Sequence, residues 1–351
     1  MNIINDIEIK NFKSIRHQKI EGCKRINVFV GPPNVGKSNI LEGLGLLTFI
    51  RQKRPVGLKG IVRFEKLTQI FNNSNIQNPA IIKFNKNYVL SLTYENEIKV
   101  GMNLDNLTGE NFLSNLYVPA LKVGSEQIHS SSTDGVDNFS GKFAELKKVN
   151  VKPYNFSDSK IFNQSISALE LSIPLGVNMF EVIINNREIQ KQFVDLLKPY
   201  NLNLLIDDST NEIKILSSIK DGVIHSLPIS LIADTLVRLV FFKTAILSNK
   251  NSVLLFEEPK SHMYPPYISK FTSDIINDEN ENQFFIATHS PFVLNDFMEN
   301  AKEDLAIYLV DYKKETGETV INKMSDEDMH EAYQFGYDFF LNIKQFLPQS
   351  T

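Results

Sequence analysis

The chain has 351 residues, of which 42% are hydrophobic and 22% are charged, with 16 Gly and 14 Pro. This composition excludes collagen-like, rod-like coiled-coil and disordered chains, and the length predicts about two structural lobes at roughly 150 residues each. The 37 Lys and Arg residues face 41 Asp and Glu residues, so the net charge of −4 does not favour nucleic acid as a partner, although a local basic patch is compatible with it.

The single cysteine, Cys23, excludes an internal disulfide and a cysteine-based zinc cluster, and it fits a reducing compartment. The N-terminal residues alternate between apolar and polar types, unlike a signal peptide. No window reaches the ~18 uninterrupted apolar residues of a membrane span, because Asp234, Arg238 and Lys243 interrupt the most apolar one. We therefore expect a soluble, cytoplasmic protein that has no membrane partner.

The first part of the chain predicts a strand, a glycine-rich loop and a helix in succession. Residues 3–10 alternate with period two, and residues 26–30 form a short apolar run that is typical of a buried strand. A glycine-rich loop follows directly, and residues 40–50 then have helical spacing. Residues 80–100 predict two or three antiparallel strands with polar turns between them.

The remainder of the chain alternates between helices and strands after an irregular segment. Residues 124–158 are predicted to be loop-like and to begin an insertion. Helices are predicted at 186–200, 230–247 and 266–276, and strands at 203–216 (a hairpin), 252–256, 283–287, 305–312 and 319–324. Ser325 and Asp328 resemble a capping box at the start of a C-terminal helix.

The strongest functional motif is the loop after residues 26–30, which matches G-x-x-x-x-G-K-[ST] in full. Glycines allow successive backbone N–H groups to point at phosphate oxygens, and the next helix adds the positive end of its dipole. A chance glycine turn is the alternative, and the flanking strand and helix weigh against it. The candidate nucleotide-binding residues of this loop are Gly31, Asn34, Val35, Gly36, Lys37 and Ser38.

Within the motif, Lys37 and Ser38 have distinct expected tasks. The Lys37 ammonium is expected to reach the β- and γ-phosphates, and Ser38 to supply a hydroxyl ligand to Mg²⁺.

A pair of carboxylates, Glu257 and Glu258, ends the apolar run at 252–256. In a parallel sheet this end of a strand faces the ligand crevice. One carboxylate is then able to hold the hydration shell of Mg²⁺, while the other orients and polarises the attacking water. A solvated acidic turn is the simpler interpretation, and the phosphate loop upstream favours the functional one.

His289 follows the next predicted strand, at the same end as the acidic pair on its neighbour. A neutral imidazole there is able to hydrogen-bond the γ-phosphate or the attacking water, and so to distinguish ATP from ADP. A lone histidine after a strand is more often an ordinary polar residue. Its place in chain order, on the strand after the acidic pair, favours the functional interpretation.

Four motifs together resemble one group of ATPases. They are IEIKNFKSI, GPPNVGKSNILEGL, FEEP followed by His262 and Pro265, and IATHSPFVL. The set resembles the ABC-type ATPases of the SMC/RecF/OLD group, and more narrowly the small bacterial AAA_15/AAA_21 proteins related to OLD-family ATPases. The resemblance covers the N-terminal 50 residues and residues 225–350, and it implies ATP and Mg²⁺ as cofactors.

The resemblance implies an α/β fold, that of a P-loop NTPase. The expected architecture is an ABC-type ATPase head with a mixed or parallel core sheet, a flanking antiparallel β-subdomain and a small α+β insertion. Motif placement divides the chain into an N-terminal part of the head at 1–123, an insertion or lid-like subdomain at 124–214, and a C-terminal part of the head at 215–351.

The resemblance also implies roles for the acidic pair and its neighbours. Glu257 would be the Walker B carboxylate that binds the metal together with Ser38, Glu258 would be the catalytic base, and His289 would be the switch histidine. Lys37 would bind phosphate during catalysis.

Two further positions match the family. Asn39 completes the family's GKSN and would support the helix start or a metal-bound water. Lys13, beside Ser14, falls where such heads bring a basic or polar side chain near the nucleotide, although a lysine on an edge strand is usually just solvated.

The chain departs from the family pattern at several positions. Glu257 replaces the usual Asp, and Lys260 stands where the common EEPE motif has its last Glu. The signature that closes over a partner's ATP lacks its glycine, so close backbone approach to phosphate is in doubt. The candidates for the signature are Ser230, Asp234, Thr235 and Arg238, and those for the Q-loop glutamine are Gln69 and Gln77.

The leading functional hypothesis is an ATP-hydrolysing subunit that forms a homodimer or higher homo-oligomer through its ATP sites. The stretch between Lys37 and Glu257 lacks the heptads of an SMC or Rad50 coiled coil. The residues after His289 are too few for the TOPRIM nuclease domain of a full OLD protein. We therefore expect a separate effector protein, a nuclease or toxin, in bacterial anti-phage defence.

Two alternatives remain open. One is a RecF-like ATPase that binds DNA, for which the basic stripe would be Arg51, Lys53, Arg54, Lys59, Arg63 and Lys66. A solvated helix end and loop is the simpler interpretation of that stripe. The other alternative is a nucleotide-dependent scaffold that hydrolyses ATP slowly, which the altered signature favours.

Overall fold

A computed structural model describes most of the chain. The described residues are 3–50, 57–86, 88–95, 98–104, 118–121, 149–157, 162, 164, 169–207, 212–221, 223–259, 261 and 263–334. Several positions named above lie outside them, namely Arg51, Lys53, Arg54, Lys260, His262 and most of the irregular segment that begins at 124.

Fifteen strands and eight α-helices are formed by the described residues. The strands are β1 Ile7–Phe12, β2 Ile15–Ile20, β3 Ile26–Val30, β4 Ala80–Phe84, β5 Tyr88–Tyr94, β6 Ile98–Leu104, β7 Val118–Leu121, β8 Val151–Tyr154, β9 Asn203–Asp207, β10 Glu212–Lys220, β11 Val223–Pro228, β12 Val253–Glu257, β13 Gln283–Thr288, β14 Leu305–Lys313 and β15 Glu318–Lys323. The helices are α1 Lys37–Gly45, α2 Leu58–Ile61, α3 Met179–Ile184, α4 Arg187–Leu197, α5 Asp234–Ser248, α6 Pro265–Ile276, α7 Pro291–Asn300 and α8 Asp326–Gln334.

Contacts divide the chain into two compact units, each built from separate segments. The first unit comprises Met1–Pro153, Asn251–Glu258 and Gln283–Thr351. The second comprises Tyr154–Lys250 and Pro259–Asn282. The domain boundaries at 123/124 and 214/215, which rest on motif placement, are a different division and stay a prediction.

The core sheet of the first unit has the strand order β15-β14-β3-β13-β12-β8. Strand β3 pairs in parallel with both β13 and β14, and β12 pairs in parallel with β13. All five residues of β3 are buried, because a central parallel strand is covered on both faces of its sheet. The carboxyl ends of β3, β12 and β13 therefore meet at one edge of the sheet.

A second, antiparallel sheet in the same unit has the order β2-β1-β4-β5-β6-β7. Period-two alternation places Ile7 and Ile9 of β1 on the buried face, and the same cluster of apolar side chains includes Phe12. Helix α1 contributes Ile40 and Leu44 to this cluster. The phosphate-loop helix is thereby held by apolar burial on its inner face.

The second unit contains helices α3 to α6 and the three-stranded sheet β11-β10-β9. Asn186 caps α4 by accepting from the backbone N–H groups of Glu188 and Ile189. Helix α4 buries one stripe of apolar side chains, which is the helical spacing that the sequence predicts. The members of this stripe are Ile189, Phe193, Leu196 and Leu197.

Most predicted elements are present, and some of their bounds differ. The strand predicted at 26–30 is confirmed without change, and the Ser325 hydroxyl accepts from the backbone N–H of Asp328 at 3.0 Å, as the capping pattern predicts. The helix predicted at 230–247 begins only at Asp234, because a 3₁₀ turn at Ile229–Leu231 follows Pro228. Within the described part of the chain, no helix is long and apolar enough to cross a membrane.

Candidate nucleotide-binding site

The phosphate-type loop connects β3 to α1, as the motif predicts. Gly36 has φ 101° and Asn34 has φ 62°, so the backbone turns through left-handed conformations just before the helix begins at Lys37. A Cβ at Gly31 would collide with the carbonyl oxygen of Val310, and one at Gly36 would collide with the Thr319 side chain. The motif glycines are therefore required both by conformation and by space.

Lys37 is folded back into this loop. Its side chain is only 7% exposed, and its Nζ donates to the carbonyl oxygens of Gly31 at 2.8 Å and Pro32 at 2.7 Å. Burial lowers the pKa of Lys37, and the negative charges of Glu258 and Glu257 oppose that shift. The loop thus encloses an ammonium group that an anionic ligand would stabilise.

Ser38 and Glu257, the two predicted metal ligands, are brought together. Glu257 is the last residue of β12, and its Oε1 accepts a hydrogen bond from the Ser38 hydroxyl in the first turn of α1. A hydroxyl and a carboxylate are ligands that suit Mg²⁺, which usually keeps several waters and takes phosphate oxygens. No cluster of three or more His, Cys, Asp or Glu among the described residues could hold a metal. The residues fit a Mg²⁺ that is bound jointly with phosphate.

Glu258 and His289 form the other half of the predicted catalytic set. Oε1 of Glu258 lies 2.6 Å from Nδ1 of His289, and the His289 side chain is 49% exposed. Oε2 of Glu258 is buried and has no hydrogen-bond partner among the residues that the structure describes. The backbone of Glu258 has φ 43°, and its N–H donates to the carbonyl of Ala287 at 2.9 Å. A left-handed conformation at a non-glycine residue is typical of a functional position.

Two residues that the sequence analysis did not assign to the site complete it. Glu42 of α1 is 5% exposed; its carboxylate is paired with Lys13 and accepts from Nε of Arg63 at 2.7 Å. Nη2 of Arg63 in turn lies 3.0 Å from Oε1 of Glu257. Glu42 stands four residues after Ser38 on α1, so its spacing could have indicated a carboxylate on the same helix face. Arg63, which the sequence analysis placed in a DNA-binding stripe, contacts two carboxylates of the site instead.

Asn39 and Ser14 lie behind the loop. The Asn39 amide donates to the Ser14 hydroxyl at 2.6 Å, and this hydroxyl lies 2.6 Å from that of Thr319. This bond links the first turn of α1 to Ser14, and both roles considered for Asn39 stay predictions. Val35 is buried in the same place, and its carbonyl accepts from Thr319 at 2.8 Å. Thr319 lies on a distant hairpin and had no local sequence signal.

The remaining candidates occupy other positions. The Arg238 guanidinium packs 4.2 Å from the centre of the Phe156 ring and is buried inside the second unit. Asp234 lies 3.5 Å from Arg238 on the same helix. The side-chain oxygen Oε1 of Gln69 accepts from the backbone N–H groups of Glu65 and Lys66, so it caps a short 3₁₀ turn. Neither assignment, signature or Q-loop, gains support from these contacts.

Three curated relatives are similar to the chain. It is 22% identical over 333 residues to an ATP/GTP phosphatase of Helicobacter pylori, covering 82% of this chain and 85% of that protein. It is 25% identical over 338 residues to the Septu protein PtuA of Bacillus mycoides, covering 89% of this chain but only 41% of PtuA. It is 36% identical over 61 residues to the DNA replication and repair protein RecF of a Thermoanaerobacter species, 17% of each chain.

Solved structures show the same fold. The Smc head bound to the C-winged helix domain of ScpA superposes with a TM-score of 0.54 at 16% identity, covering 92% of this chain and 98% of that one. An Smc head with an extended coiled coil, bound to the C-terminal domain of ScpA derived from Pyrococcus furiosus, superposes with a TM-score of 0.56 at 12% identity, covering 95% and 98%. The predicted α/β P-loop NTPase fold of an ABC-type head is confirmed.

The family model that matches is AAA_21, described as "AAA domain, putative AbiEii toxin, Type IV TA system", and it matches residues 26–295. That range contains the phosphate loop, the acidic pair and His289, so three of the four motifs that carry the resemblance lie inside the match, and IEIKNFKSI lies before it. Because the match extends over most of the chain, the protein belongs to the AAA_21 family and is an ATPase of the AAA, SMC and RecF type.

Proposed function

We propose that the chain binds ATP with Mg²⁺ at the β3–α1 loop and hydrolyses it with Glu258 as the catalytic base. Lys37 and the backbone N–H groups of Gly31, Asn34, Val35 and Gly36 bind the phosphates. Ser38 and Glu257 hold Mg²⁺, which neutralises phosphate charge during phosphoryl transfer. The buried ammonium of Lys37 and the contact between Ser38 and Glu257 support these roles.

The observation that carries the proposal is the environment of Glu258. Its Oε1 is held by His289, and its Oε2 is buried and lacks a hydrogen-bond partner in the described part of the chain. Buried carboxylate oxygens are almost always paired, because an unpaired one loses its hydration without replacement. In this proposal Oε2 is the oxygen that accepts a proton from an attacking water.

His289 acts as an orienting group in this proposal. Its Nδ1 holds Oε1 of Glu258, and Oε2 makes no hydrogen bond among the described residues. The His289 side chain is half exposed, and in this proposal its second ring nitrogen hydrogen-bonds the γ-phosphate or the water. Loss of the γ-phosphate would then change the contacts of Glu258 through the His289 side chain.

We further propose that two copies close on ATP. Phe292, three residues after His289 and in the first turn of α7, is 61% exposed. An exposed aromatic side chain beside a nucleotide site is well suited to be covered by another protein surface. A second copy that meets this face would also shield His289 from water.

The closed form is proposed to control a separate effector, a nuclease or toxin, in bacterial anti-phage defence. Similarity to the Septu protein PtuA over 89% of this chain supports this proposal. The chain spans 41% of PtuA, so the activity and partners of that protein are carried over only as a proposal.

A RecF-like function with DNA is the second candidate, and the local similarity to RecF favours it. Its basic stripe would rest on Arg51, Lys53 and Arg54, because Arg63 is engaged by Glu42 and Glu257. DNA binding that falls steeply with salt, and that is lost when Arg51, Lys53 and Arg54 are neutralised, would favour this candidate.

The proposed function is tested by nucleotide binding and mass together. Lys37→Ala should abolish binding of a fluorescent ATP analogue, whereas Lys19→Ala, which removes an exposed lysine of β2, should leave it unchanged. Light scattering of Glu258→Gln with ATP and Mg²⁺ should give twice the monomer mass. Unimpaired binding by Lys37→Ala would refute the phosphate-loop assignment, and a constant mass would refute ATP-driven closure.

A further inference from the structure

A chain of hydrogen bonds runs behind the phosphate-type loop and joins three distant segments of the first unit. The Asn39 amide of α1 lies 2.6 Å from the Ser14 hydroxyl, which lies 2.6 Å from the Thr319 hydroxyl of β15. Thr319 Oγ1 lies 2.8 Å from the carbonyl oxygen of Val35, inside the loop. Thr319 is fully buried, so its bond to the Val35 carbonyl is shielded from water.

Proton counting fixes the direction of the chain. Each hydroxyl carries one proton, and the Val35 carbonyl can only accept. Thr319 therefore donates to Val35 and must accept from Ser14. Ser14 has then used its proton and accepts from the Asn39 amide. The resulting order is Asn39 to Ser14 to Thr319 to Val35, in which each donor polarises the next.

The last bond fixes the orientation of a single peptide unit. In a trans peptide the C=O and N–H groups point to opposite sides. Because the Val35 carbonyl points to Thr319, the N–H of Gly36 points away from Thr319. In a phosphate loop, N–H groups in this position bind the anion.

The Ser14 and Thr319 side chains also explain why position 36 requires glycine. A Cβ built on Gly36 would lie 2.7 Å from the Ser14 hydroxyl oxygen and would collide with Thr319. Thr319 and Ser14 thus fill the volume that a side chain at position 36 would occupy. The loop and its support are complementary in shape as well as in hydrogen bonding.

Thr319 is itself held by backbone contacts on two sides. Its N–H donates to the carbonyl of Ser14 at 2.9 Å, and it stands opposite Tyr312 in the β14–β15 hairpin. The hydroxyl is therefore presented by a rigid strand and not by a mobile loop. Such preorganisation is what a group that positions a binding loop requires.

We propose that Thr319 is a positioning residue of the nucleotide site: its hydroxyl orients the Val35–Gly36 peptide so that the Gly36 N–H faces the phosphates. The inference rests on the proposed function, because it assumes that the loop binds phosphate. Thr319 lies in the C-terminal β14–β15 hairpin, and this hairpin contains none of the family's motifs.

The test compares Thr319→Val, which keeps the shape and removes the hydroxyl, with Thr319→Ser, which keeps the hydroxyl. Affinity for ADP without Mg²⁺ should fall about tenfold in the Val variant, in line with the loss of one oriented hydrogen bond, and stay within about twofold in the Ser variant. In ATP turnover the Val variant should raise KM and leave kcat within about twofold. If Thr319 only stabilised the fold, the Val variant would have a lower melting temperature, and KM would not rise separately from kcat.

Two further variants, Lys37→Ala and Ser14→Ala, distinguish failure of the role of Thr319 from failure of the proposed function. Wild-type ADP affinity in Thr319→Val, with binding abolished in Lys37→Ala, would overturn the role of Thr319 and leave the proposed function intact. Unimpaired binding in Lys37→Ala would instead refute the proposed function. If Thr319→Val does not fold, Ser14→Ala breaks the chain one step earlier and should weaken ADP binding about threefold; unchanged affinity there would overturn the inference.

Discussion

Arg63 and Glu257 are joined directly: Nη2 of the guanidinium lies 3.0 Å from Oε1 of the carboxylate. The same oxygen accepts the Ser38 hydroxyl, so a guanidinium contacts the carboxylate oxygen that is proposed to bind Mg²⁺. Glu42 holds the other side of the guanidinium through Nε at 2.7 Å. Arg63 therefore has an alternative partner when a metal takes Glu257.

Arg63→Gln should lower the Mg²⁺ concentration that half-saturates metal-dependent ADP binding, because the metal no longer competes with a guanidinium. The Arg63 side chain is 63% exposed, so the expected change is at most about fivefold. A Mg²⁺ titration at fixed fluorescent ADP measures it. Arg25→Ala, which removes an ion pair with Asp304 elsewhere, is the control and should have no effect. A higher Mg²⁺ requirement in Arg63→Gln would contradict competition.

His289→Ala should slow ATP hydrolysis about tenfold to a hundredfold while ATP affinity changes little. The imidazole contacts Glu258, and without it the base loses its fixed orientation. Single-turnover rates and equilibrium binding, measured on the same preparation, separate the two effects. A variant that loses affinity and keeps its single-turnover rate would place His289 in binding and not in catalysis.

Gly36→Ala should weaken nucleotide binding at least about tenfold. Position 36 has φ 101°, and the new Cβ would meet the Ser14 and Thr319 side chains. Gly57→Ala is a matched control, because a Cβ at Gly57 meets nothing within 4 Å. Isothermal titration with ADP compares the two variants. Equal affinities would show that the loop does not need its left-handed glycine.

Asp274 in the second unit should make stability depend on pH. Burial raises the pKa of its carboxyl above the usual 3.8, although Lys243, which is hydrogen-bonded to Oδ1, and Lys270 oppose the shift. The Lys243 ammonium also donates to Gln192 at 2.6 Å, and Oδ2 of Asp274 is buried and unpaired among the described residues.

The direction of the pH dependence follows from the linkage between proton binding and folding. A carboxyl with a raised pKa in the folded state binds its proton more tightly there, so its contribution to stability is full below pH 3.8 and is lost as pH rises through the raised value. The free energy of unfolding of the wild type, relative to Asp274→Asn, should therefore decrease as pH rises above 3.8. Urea unfolding at a series of pH values measures this difference. A difference that grows with pH would mean that the Lys243 charge dominates.

Local signals predict the parts of the site that are close in sequence. Strand β3, the loop and α1 follow one another directly, and the apolar run, the glycines and the helical spacing each act over a few residues. Glu257 and His289 could be placed because parallel strands bring their carboxyl ends to one edge of the sheet. The contact of Glu257 with Ser38 confirms that such convergence can be predicted from order along the chain.

Residues whose contacts depend on packing between distant segments could not be predicted. Thr319 reaches Ser14 across 305 positions, and nothing in its neighbourhood distinguishes it from any polar strand residue. Arg63 was grouped with nearby basic residues by sequence, while its partner Glu257 lies 194 positions away. The sequence also does not predict that α5 begins at Asp234, because an apolar run is compatible with a 3₁₀ turn as well as with an α-helix.

Single-turnover hydrolysis of bound ATP in wild type and Glu258→Gln measures directly whether Glu258 is the base of an ATP-hydrolysing site. The amide keeps the shape and the contact to His289 but cannot take up a proton. We expect the variant to bind ATP with wild-type affinity and to cleave it at least about a hundredfold more slowly. Cleavage by Glu258→Gln at the wild-type rate would contradict the account.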